Sequence, residues 1–570
     1  MTSVLKTSLD NMRNSTKANA SVVIDEAKAA KSHYDGMWAT LHRAIGDYYI
    51  PQNSAINTLK TPDTAGWTEG IFDTTAVHAA QTFTAGCYDY MLSGEFFDFE
   101  APKKDGVSNP IAKDWYHKCA EIVLELINES NWALKIQEHL QDRNTFGTAN
   151  IDLEQGKNGT LYSFATTQVG KFFPQSNDDG YIDTMFYCYD WTAKKIVDKF
   201  GEDNVSSDVM DAYKDDSRKA KEKFKLWRKV APRPLKAREA GKIDALNKEF
   251  ESVWVEEKAK HVLYESGYDE QPFVGSRFAQ WGDEEFGWSP AILIMPSVRT
   301  LQDIMKSLVT IGEISVWPRT MVPDTLKDVI QWEAGGVTVY PDSSANAPQV
   351  WGEPRGYAEG KDLVTDFREM IKDAYHVDLF KALAERTKTM TATEVLELVQ
   401  EKLVNFRPTF ARFTSETLDT LLQRMFKMAF RDGRFPPVPP EVIVESNGEL
   451  SIPEPRPTYV SKIARAMRAL ENKSTLDFLQ QVAFLLEVDP MLLYDNYNLD
   501  AMMRGFGDNN SLPTEYKRPE KQRNEIRAAR QQQAEQQQAM EMAKQGSEAA
   551  RNLGQVPAGA RKEFADAIDV

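Results

Sequence analysis

Two amphipathic helical patterns that flank a proline-rich stretch constrain this chain more than any other feature of its sequence. The patterns run over about 297–314 and 362–384, and each carries apolar residues at intervals of three or four. Between them, residues 317–360 contain five prolines, the turn Gly335-Gly336 and a strand-like run at 336–340. The sequence therefore predicts two helices joined by a small α/β excursion.

Helical patterns dominate the rest of the chain, apart from one region of predicted strands. Amphipathic helices are predicted over 21–49, 74–93 and 110–143. Between about 149 and 185, apolar residues lie among Gly and Asn turn signals, which indicates short strands of a mixed sheet. The stretch 213–261 is rich in charged residues, and we interpret it as a solvated helical surface. Residues 264–296 are rich in aromatics, Gly and Pro, which favours strand and loop.

Three more helical patterns follow in the last third of the chain. A capping box at Thr391 precedes the longest pattern, 392–430, which Pro408 is expected to kink or break. Another helix is predicted over 459–488. Beyond residue 513 the chain is charged and glutamine-rich with few large apolar residues. Such a composition is typical of either a projecting helix stabilised by neighbouring copies or a disordered extension.

The balance of charge limits how this chain can deal with nucleic acid. Its 570 residues carry a formal net charge of −17 at pH 7, whereas proteins that hold DNA by its phosphates normally present a basic surface. Tight DNA binding is therefore disfavoured. An acidic wall would nevertheless repel phosphates and prevent sticking, which suits a conduit through which DNA passes.

Cysteine usage and hydropathy exclude several further classes of protein. Cys87, Cys119 and Cys188 are widely separated and odd in number, so neither a disulfide framework nor a zinc site is indicated. The amino terminus lacks the apolar run of a signal peptide, and no stretch approaches the roughly 18 apolar residues of a spanning helix. We expect synthesis and assembly in a cytoplasm, and a division into roughly three to four structural units.

The sequence lacks four common motifs of enzymatic chemistry. The loop GxxxxGK[ST], the elbow GxSxG, the pair HExxH and the fingerprint GxGxxG do not occur, and the seven histidines are scattered without ligand spacing. The run Asp283-Glu284-Glu285 could hold a divalent cation, although adjacent carboxylates in a turn more often face solvent. We expect no catalytic residue, no metal and no cofactor.

Several segments, taken in order, resemble the portal proteins, or head-to-tail connectors, of short-tailed bacteriophages. They are Phe72-Asp-Thr-Thr-Ala76, Met91-Leu-Ser-Gly-Glu-Phe-Phe-Asp-Phe99, Phe146-Gly-Thr-Ala149, Asp190-Trp-Thr-Ala193, Tyr264-Glu-Ser-Gly-Tyr268, Phe286-Gly-Trp-Ser-Pro290 and Tyr459-Val-Ser-Lys-Ile-Ala-Arg-Ala466. The most specific block contains Met390-Thr-Ala-Thr-Glu-Val395, Arg412, Glu416 and Arg431-Asp-Gly-Arg-Phe-Pro-Pro437. The chain departs from the pattern at Thr74, where serine is usual, and at Gly94-Glu95, where Ser-Pro is common. The resemblance covers about residues 20–500.

The resemblance implies an α+β, mainly helical portal fold, in which twelve subunits form a ring around an axial channel. The wing would cover residues 1–296, the stem helices 297–316 and 361–384, the clip 317–360 and the tunnel loop 385–391. A long helix with following strands would occupy 392–458, further wing or crown helices 459–512, and a crown or barrel tail 513–570.

The resemblance also implies which residues meet DNA and which meet other proteins. Arg386 and Lys388 would be the cations of the tunnel loop, and Trp332, Trp351 and Arg355 of the clip would contact terminase or tail proteins. The acidic stem residues would keep phosphates from adhering, and they are Asp362, Asp366, Glu369 and Asp373. These carboxylates could instead form ion pairs between subunits, and the two cations could belong to an ordinary exposed loop.

The implied partners are further copies of the chain, double-stranded DNA as transient cargo, and the terminase, major capsid, scaffold and tail adaptor proteins, with no membrane. The protein would reside at the portal vertex of the virion after assembly in the host cytoplasm. Two other functions stay compatible with the sequence. A metal-dependent nucleic-acid enzyme would use carboxylates around Asp283, and a scaffold or adaptor protein would bind its partner through the tail 514–570.

Overall fold

A computed structural model describes the backbone of residues 19–49, 71–101, 110–156, 159–215, 222–234, 244–316, 320–321, 349–350, 356–384, 406–446, 449–461, 464, 497–500, 502–503, 505, 518 and 520–554. The chain divides into two units, Met1–Leu470 and Glu471–Val570. The larger unit contains the strands and most of the helices described below.

Five helices open the larger unit, and they are α1 (Ala20–Asp35), α2 (Met37–Tyr49), α3 (Thr75–Cys87), α4 (Pro110–Asn128) and α5 (Trp132–Phe146). α3 continues as a π-helical turn, Tyr88–Leu92. The single helix predicted over 21–49 is interrupted at Gly36, whose ψ of −118° is not helical. The single helix predicted over 110–143 is also two helices. Ser130 separates them, because its hydroxyl donates to the Ile127 carbonyl and accepts from the Trp132 N–H.

Eight strands form two antiparallel sheets in the same unit. A three-stranded sheet has the order β3 (Tyr162–Thr167), β2 (Thr148–Gln155), β9 (Phe273–Arg277). A five-stranded sheet has the order β4 (Phe172–Ser176), β5 (Ile182–Thr192), β6 (Lys223–Pro232), β7 (Phe250–Glu256), β8 (His261–Tyr268). Every pairing of described strands is antiparallel, so the predicted mixed sheet is wrong. Within the larger sheet, strands that are neighbours in the chain also pair, which favours antiparallel ladders.

The prediction of a helical surface over 213–261 is wrong, because about half of its described residues belong to β6, β7 and the start of β8. Along β6 the charged residues alternate in part with buried apolar ones, which is the period of a strand. The charges pair between the sheets and within one sheet: Arg228 lies 3.5 Å from Asp152 of β2, and Lys229 lies 3.2 Å from Glu251 of the adjacent β7. Among the described helices, α7 (Ser207–Lys214) alone reaches into the predicted range, and it packs with α6 (Ala193–Phe200) over the sheet.

Three helices follow the sheets, and they are α8 (Pro290–Val316), α9 (Tyr357–Ala374) and α10 (Val377–Ala384). Between α8 and α9, strands β10 (Thr320–Met321) and β11 (Gln349–Val350) pair antiparallel. The two predicted helices are therefore confirmed, whereas most of the excursion between them, including 322–348, lies outside the described residues. α8 begins before the predicted residue 297, and proline is well accommodated at its first position, Pro290. The second predicted helix is divided at His376, whose φ is +48°.

The chain then returns to the core through a helix that changes its winding. Residues 406–413 are α-helical, Thr414–Leu418 form a π-helical turn, and α11 (Asp419–Arg431) follows. The described helix passes through Pro408, and residues 392–405 of the predicted pattern lie outside the described residues. A 3₁₀ turn, Pro440–Val442, and strands β12 (Val444–Ser446), β13 (Glu449–Ser451) and β14 (Arg456–Tyr459) complete this segment. Residue 459 was predicted to start a helix, but it lies in β14, which pairs with β1 (Phe97–Glu100).

One core joins both sheets to most helices of the larger unit, and its largest buried side chains include Trp38, Trp227, Tyr116, Phe83 and Phe146. A second, smaller cluster packs α6 and α7 against the five-stranded sheet. In the smaller unit, α12 (Glu520–Gly554) is a 35-residue helix. A projecting helix and a disordered extension were the two forms expected for the tail, and the described residues 520–554 are helical. Arg527 pairs through both guanidinium NH₂ groups with the carboxylate of Asp500, at 2.5 and 2.6 Å.

Candidate functional site: the α8–α9 helix pair

The four predicted acidic residues lie together on one side of α9. Their spacing of four, three and four residues places them within about 60° of helical arc, and all four are exposed. We call Asp362, Asp366, Glu369 and Asp373 the acidic stripe. The opposite side of α9 carries Val364 and Ile371, which are buried in the core. The stripe is therefore turned away from the interior of the larger unit.

α8 and α9 pack against each other at short range. Gly360 makes this possible near the start of α9, since a Cβ at that position would lie 2.8 Å from Cδ2 of Leu308. Earlier in α8, Val298 and Leu301 belong to the same hydrophobic core as Val364 of α9. The acidic stripe thus lies on a helix that is fixed along its other side.

A buried carboxylate holds both helices to the start of α3. Asp73 Oδ2 accepts hydrogen bonds from Nε of Arg368 at 2.8 Å and pairs with its Nη2 at 2.7 Å, while Oδ1 accepts from the Thr75 N–H at 2.7 Å. On α8, Oε1 of Gln302 accepts from the Phe72 and Asp73 N–H groups, and its Nε2 donates to the Asp73 carbonyl. We call these residues the Asp73 network. It connects α3, α8 and α9 through a single turn of chain.

The network sets the ionisation of its carboxyl group. Burial alone would raise the pKa of Asp73, but the hydrogen bonds from Thr75 and the guanidinium of Arg368 together lower that pKa below its usual range. The negative charge is therefore present in the folded protein at neutral pH, where it pairs with Arg368.

A cavity of about 310 Å³ opens beside the Asp73 network. Three cationic side chains and one histidine line it: Arg368 and Lys372 of α9, Lys381 of α10, and His78 of α3. Lys381 lies near the end of α10, four residues before the predicted tunnel loop begins.

The remaining predicted site residues lie outside the described residues. Arg386 and Lys388 follow the last described residue of α10, and Trp332, Trp351 and Arg355 fall between β10 and the start of α9. Their assignments to the tunnel loop and the clip stay predictions.

The motif residues Arg412 and Glu416 form a second buried network. Glu416 Oε1 lies 2.7 Å from Nη1 of Arg412 and 3.2 Å from Nη2 of Arg277, and its Oε2 accepts from the Arg277 N–H at 2.8 Å. Arg277 is fully buried and also donates to the Gly180 carbonyl at 2.6 Å. Glu416 lies in the π-helical turn, a form of helix that is frequent at functional positions. This network joins the sheets to the helix that follows residue 405.

A third contact joins the last part of the most specific sequence block to a turn after β8. Arg431 forms a two-pronged ion pair with Glu270, in which Nη2 lies 2.8 Å from Oε2. Arg424 donates to the Glu270 carbonyl at 3.0 Å. Glu270 follows shortly after Tyr268, the end of another resembling segment. Two segments that are far apart in the sequence therefore meet through one carboxylate.

The carboxylates proposed as an alternative metal site bind protein donors instead. Glu284 Oε2 accepts from the Trp38 indole N–H at 3.1 Å, and Glu285 Oε2 accepts from the Ser176 hydroxyl at 2.7 Å. Asp283 is exposed. Within the described ranges, no group of three His, Cys, Asp or Glu side chains is arranged to hold a metal ion.

The buried histidines and thiols are held in their neutral forms. Burial lowers the pKa of His42 and of His139 to about 3, and it raises the pKa of Cys87 to about 12 and that of Cys188 to about 11. These groups are part of the packed interior, where a neutral form avoids the free-energy cost of a buried charge.

Sequence reasoning missed most of the residues that hold this site together. Asp73 lies in a quoted segment but was not given a role. Gln302 is polar next to apolar Leu301 on a helix, and Arg277 is charged within a strand of buried residues. A polar side chain at a position that the apolar period assigns to the core is the signal that would have indicated these contacts.

Comparisons with known proteins agree with the segment resemblance. The model of a family described as bacteriophage head to tail connecting protein matches residues 22–516. The chain is 24% identical over 546 residues to the portal protein of Salmonella phage epsilon15, with 93% of this chain and 94% of that protein covered. It is 26% identical over 547 residues to the probable portal protein of Bordetella phage BPP-1, with the same shares covered. Among the residues described here, no helix has the length and apolar character needed to cross a membrane.

Proposed function

Because this chain belongs to the family of bacteriophage head-to-tail connecting proteins, we propose that copies of it form a ring at one vertex of the capsid, through which double-stranded DNA enters and leaves. Relatives that match it over more than nine-tenths of its length are named portal proteins, and a phage portal function is accordingly supported at that level. Twelve subunits and a short-tailed virion are the finer form of the proposal.

The acidic stripe is the observation that carries this proposal. Four exposed carboxylates on the outer side of α9 would repel the phosphates of a passing duplex if α9 lines the channel. Repetition around a ring would make the wall negative at every angle. DNA would then slide past with little adhesion, which suits a protein that must let the genome move in both directions.

We assign brief contacts with DNA to the tunnel loop. Arg386 and Lys388 would supply salt-sensitive contacts with phosphates at the constriction, and Lys381 would extend that cationic region onto the end of α10. Trp332, Trp351 and Arg355 would contact terminase during packaging and tail proteins afterwards. The major capsid and scaffold proteins would surround the ring during assembly in the host cytoplasm.

A portal needs no chemistry of its own, and we propose none for this chain. The enzyme alternative loses its best candidate, because Glu284 and Glu285 accept hydrogen bonds from Trp38 and Ser176. The scaffold alternative rests on the tail alone, whereas the family model matches the chain from residue 22 to residue 516.

Electron microscopy of the purified full-length chain tests the proposal directly. We expect closed annuli with a central hole, and analytical ultracentrifugation should show one large species. Material that stays monomeric or dimeric across salt and protein concentrations would contradict the ring. In a packaging assay, capsids assembled without this chain should take up no DNA.

A further inference from the structure

α9 carries two more stripes that run parallel to the acidic stripe. A mainly basic stripe is formed by the residues that directly precede the acidic ones, and they are Lys361, Thr365, Arg368 and Lys372. An apolar stripe is formed by the residues that directly follow the acidic ones, and they are Leu363, Phe367, Met370 and Ala374. At 100° per residue, these stripes flank the acidic one on opposite sides. The helix is therefore basic on one flank, acidic in the middle and apolar on the other flank.

Two residues of the apolar flank are open in the single chain, whereas Phe367 packs in part against the core. Leu363 is 49% exposed and Met370 is 53% exposed, and they lie two turns apart on the same side of the helix. Isolated exposed apolar residues are common on protein surfaces. Two of them in register, next to a row of charges, form a seam that a partner helix could cover.

Most charges on the other two stripes have no ion-pair partner among the residues that the structure describes. Lys361 and Lys372 form no ion pair with any residue that the structure describes, and the same is true of the four carboxylates of the acidic stripe. Arg368 differs, because it is bound to Asp73. One helix thus presents unpaired cations on one flank and unpaired anions beside the apolar flank.

A ring joins unlike surfaces, since one side of each copy meets the other side of the next copy. We propose that neighbouring copies meet along α9, with the apolar flank of one copy packed against the basic flank of the next. The aliphatic stems of Lys361 and Lys372 would cover Leu363 and Met370. Their ammonium groups would then reach the acidic stripe of the first copy.

This inference rests on the proposed ring and specifies how its subunits join. It also gives the acidic stripe a second role. The carboxylates would line the channel, and those at the edge of the stripe would also bind the lysines of the neighbouring copy. Because salt screens such ion pairs, the ring would close most readily at low salt.

Pairs of introduced cysteines test the seam. One cysteine replaces a residue of the apolar flank (Leu363→Cys or Met370→Cys), and one replaces a residue of the basic flank (Lys361→Cys or Lys372→Cys), which makes four double variants. In each pair the two positions lie on opposite sides of the same helix, so they cannot bridge within one chain. Mild oxidation of assembled rings should give a ladder of covalent oligomers for at least one pair.

The matched controls are the single-cysteine variants. Because the interface joins unlike flanks, a cysteine on one flank alone should give no ladder. The native Cys87, Cys119 and Cys188 are buried and should contribute little. Intact rings in which none of the four pairs is linked would overturn the seam and leave the portal function standing. A failure to form rings at all in the unmodified protein would contradict both.

A charge exchange gives a second measurement. Asp366→Lys with Asp373→Lys should reduce the fraction of chain in rings by at least fivefold at low salt, and further addition of Lys361→Glu with Lys372→Glu should restore it. Asp198→Lys with Asp211→Lys makes the same charge change as the first pair, at exposed carboxylates of α6 and α7, and should leave the rings unchanged. Rings that tolerate the first change, or that are not restored by the second, would speak against the seam.

Discussion

The backbones of Gly147 and Gly287 are in direct contact where α5, the three-stranded sheet and α8 meet. A Cβ on Gly147 would lie 2.1 Å from the Gly287 carbonyl oxygen, and a Cβ on Gly287 would lie 2.3 Å from that of Gly147. Gly147 also has a φ of +86°, which favours glycine. The Gly287 N–H donates to the Thr148 hydroxyl at 2.7 Å. Two sequence segments that each resemble the portal family are therefore in direct contact.

A side chain at either glycine should destabilise the protein. Gly147→Ala combines a left-handed backbone with a backbone clash, and we expect a loss of about 2 kcal/mol or more in the free energy of unfolding. Thermal scanning at fixed protein concentration measures it. Gly312→Ala in α8 is the control, because its Cβ would meet nothing within 4 Å and alanine favours a helix. Equal melting temperatures for Gly147→Ala and Gly312→Ala would refute the close approach.

The resembling segments were predictable from the sequence, but the contacts between them were not. Phe146-Gly-Thr-Ala149 and Phe286-Gly-Trp-Ser-Pro290 were recognised separately by their glycines. Nothing in their spacing indicated that they touch, since they lie 139 residues apart where Thr148 meets Gly287. Contacts of this kind depend on tertiary packing, and a local pattern in one sequence does not contain that information.

Removal of the Asp73 carboxylate should loosen α8 and α9 together. Asp73→Asn would lose the ion pair with Arg368 and would weaken the cap on Thr75 while its main chain still binds Gln302. We expect a loss of about 1–3 kcal/mol. Asp362→Asn, at an exposed acidic position, should change stability very little. Hydrogen exchange of α9 amides reports the same effect locally, and unchanged protection of α9 in Asp73→Asn would contradict the role of this network.

Glu416 and Arg277 should show strong energetic coupling. Removal of Glu416 leaves the Arg277 guanidinium buried without a carboxylate, so we expect Glu416→Gln to cost about 3–5 kcal/mol. A double-mutant cycle with Arg277→Met should give a coupling of about 1–3 kcal/mol. The control cycle uses the exposed pair Lys135 and Glu138, 2.8 Å apart, for which about 0.5 kcal/mol or less is expected. Equal coupling free energies in the two cycles would show that burial does not strengthen the interaction between Glu416 and Arg277.

The buried histidines should make the protein less stable in mild acid. The unfolded chain binds protons at His42 and His139 below about pH 6.5, whereas the folded pKa values are about 3. Stability therefore falls as pH decreases from 7 to 5, by roughly 2 kcal/mol for each histidine. His139→Phe should flatten this dependence in melting curves recorded at pH 5, 6 and 7. An unchanged slope in His139→Phe would exclude a contribution from that residue.

His117 provides a comparison of opposite sign. Its hydrogen bond with Asp98, at 3.0 Å, raises the pKa of the imidazole despite partial burial. The protonated pair stabilises the fold below the unfolded pKa, and this stabilisation is lost as pH rises through the folded pKa. His117→Asn should therefore reduce stability more at pH 5 than at pH 8. A larger loss at pH 8 would reverse the assignment.

The acidic stripe was predictable, while the charged strand β6 was misread, and the difference has a physical cause. Carboxylates at 362, 366, 369 and 373 follow the helical period, so sequence alone places them on one side of α9. Along β6, lysines and an arginine alternate with apolar residues in part, and the density of charge obscured that shorter period. The charges are tolerated there because Arg228 pairs with Asp152 of the neighbouring sheet, a partner that local composition does not indicate.

Neutralisation of the acidic stripe should make the channel bind DNA. The fourfold variant Asp362→Asn, Asp366→Asn, Glu369→Gln and Asp373→Asn keeps groups that accept hydrogen bonds from lysine, so rings should still form. Its affinity for a short duplex, measured by fluorescence anisotropy in low salt, should rise at least tenfold and fall again as salt is added. The same number of neutral substitutions at the exposed Asp178, Asp179, Asp198 and Asp211 is the control. In capsids, the tighter DNA binding of the fourfold variant should slow packaging. Replacement of the tunnel-loop cations, Arg386→Glu with Lys388→Glu, should leave rings intact and impair packaging or retention of DNA. If the fourfold variant binds the duplex no better than the control does, the stripe does not face the DNA, and α9 must present another side to the channel.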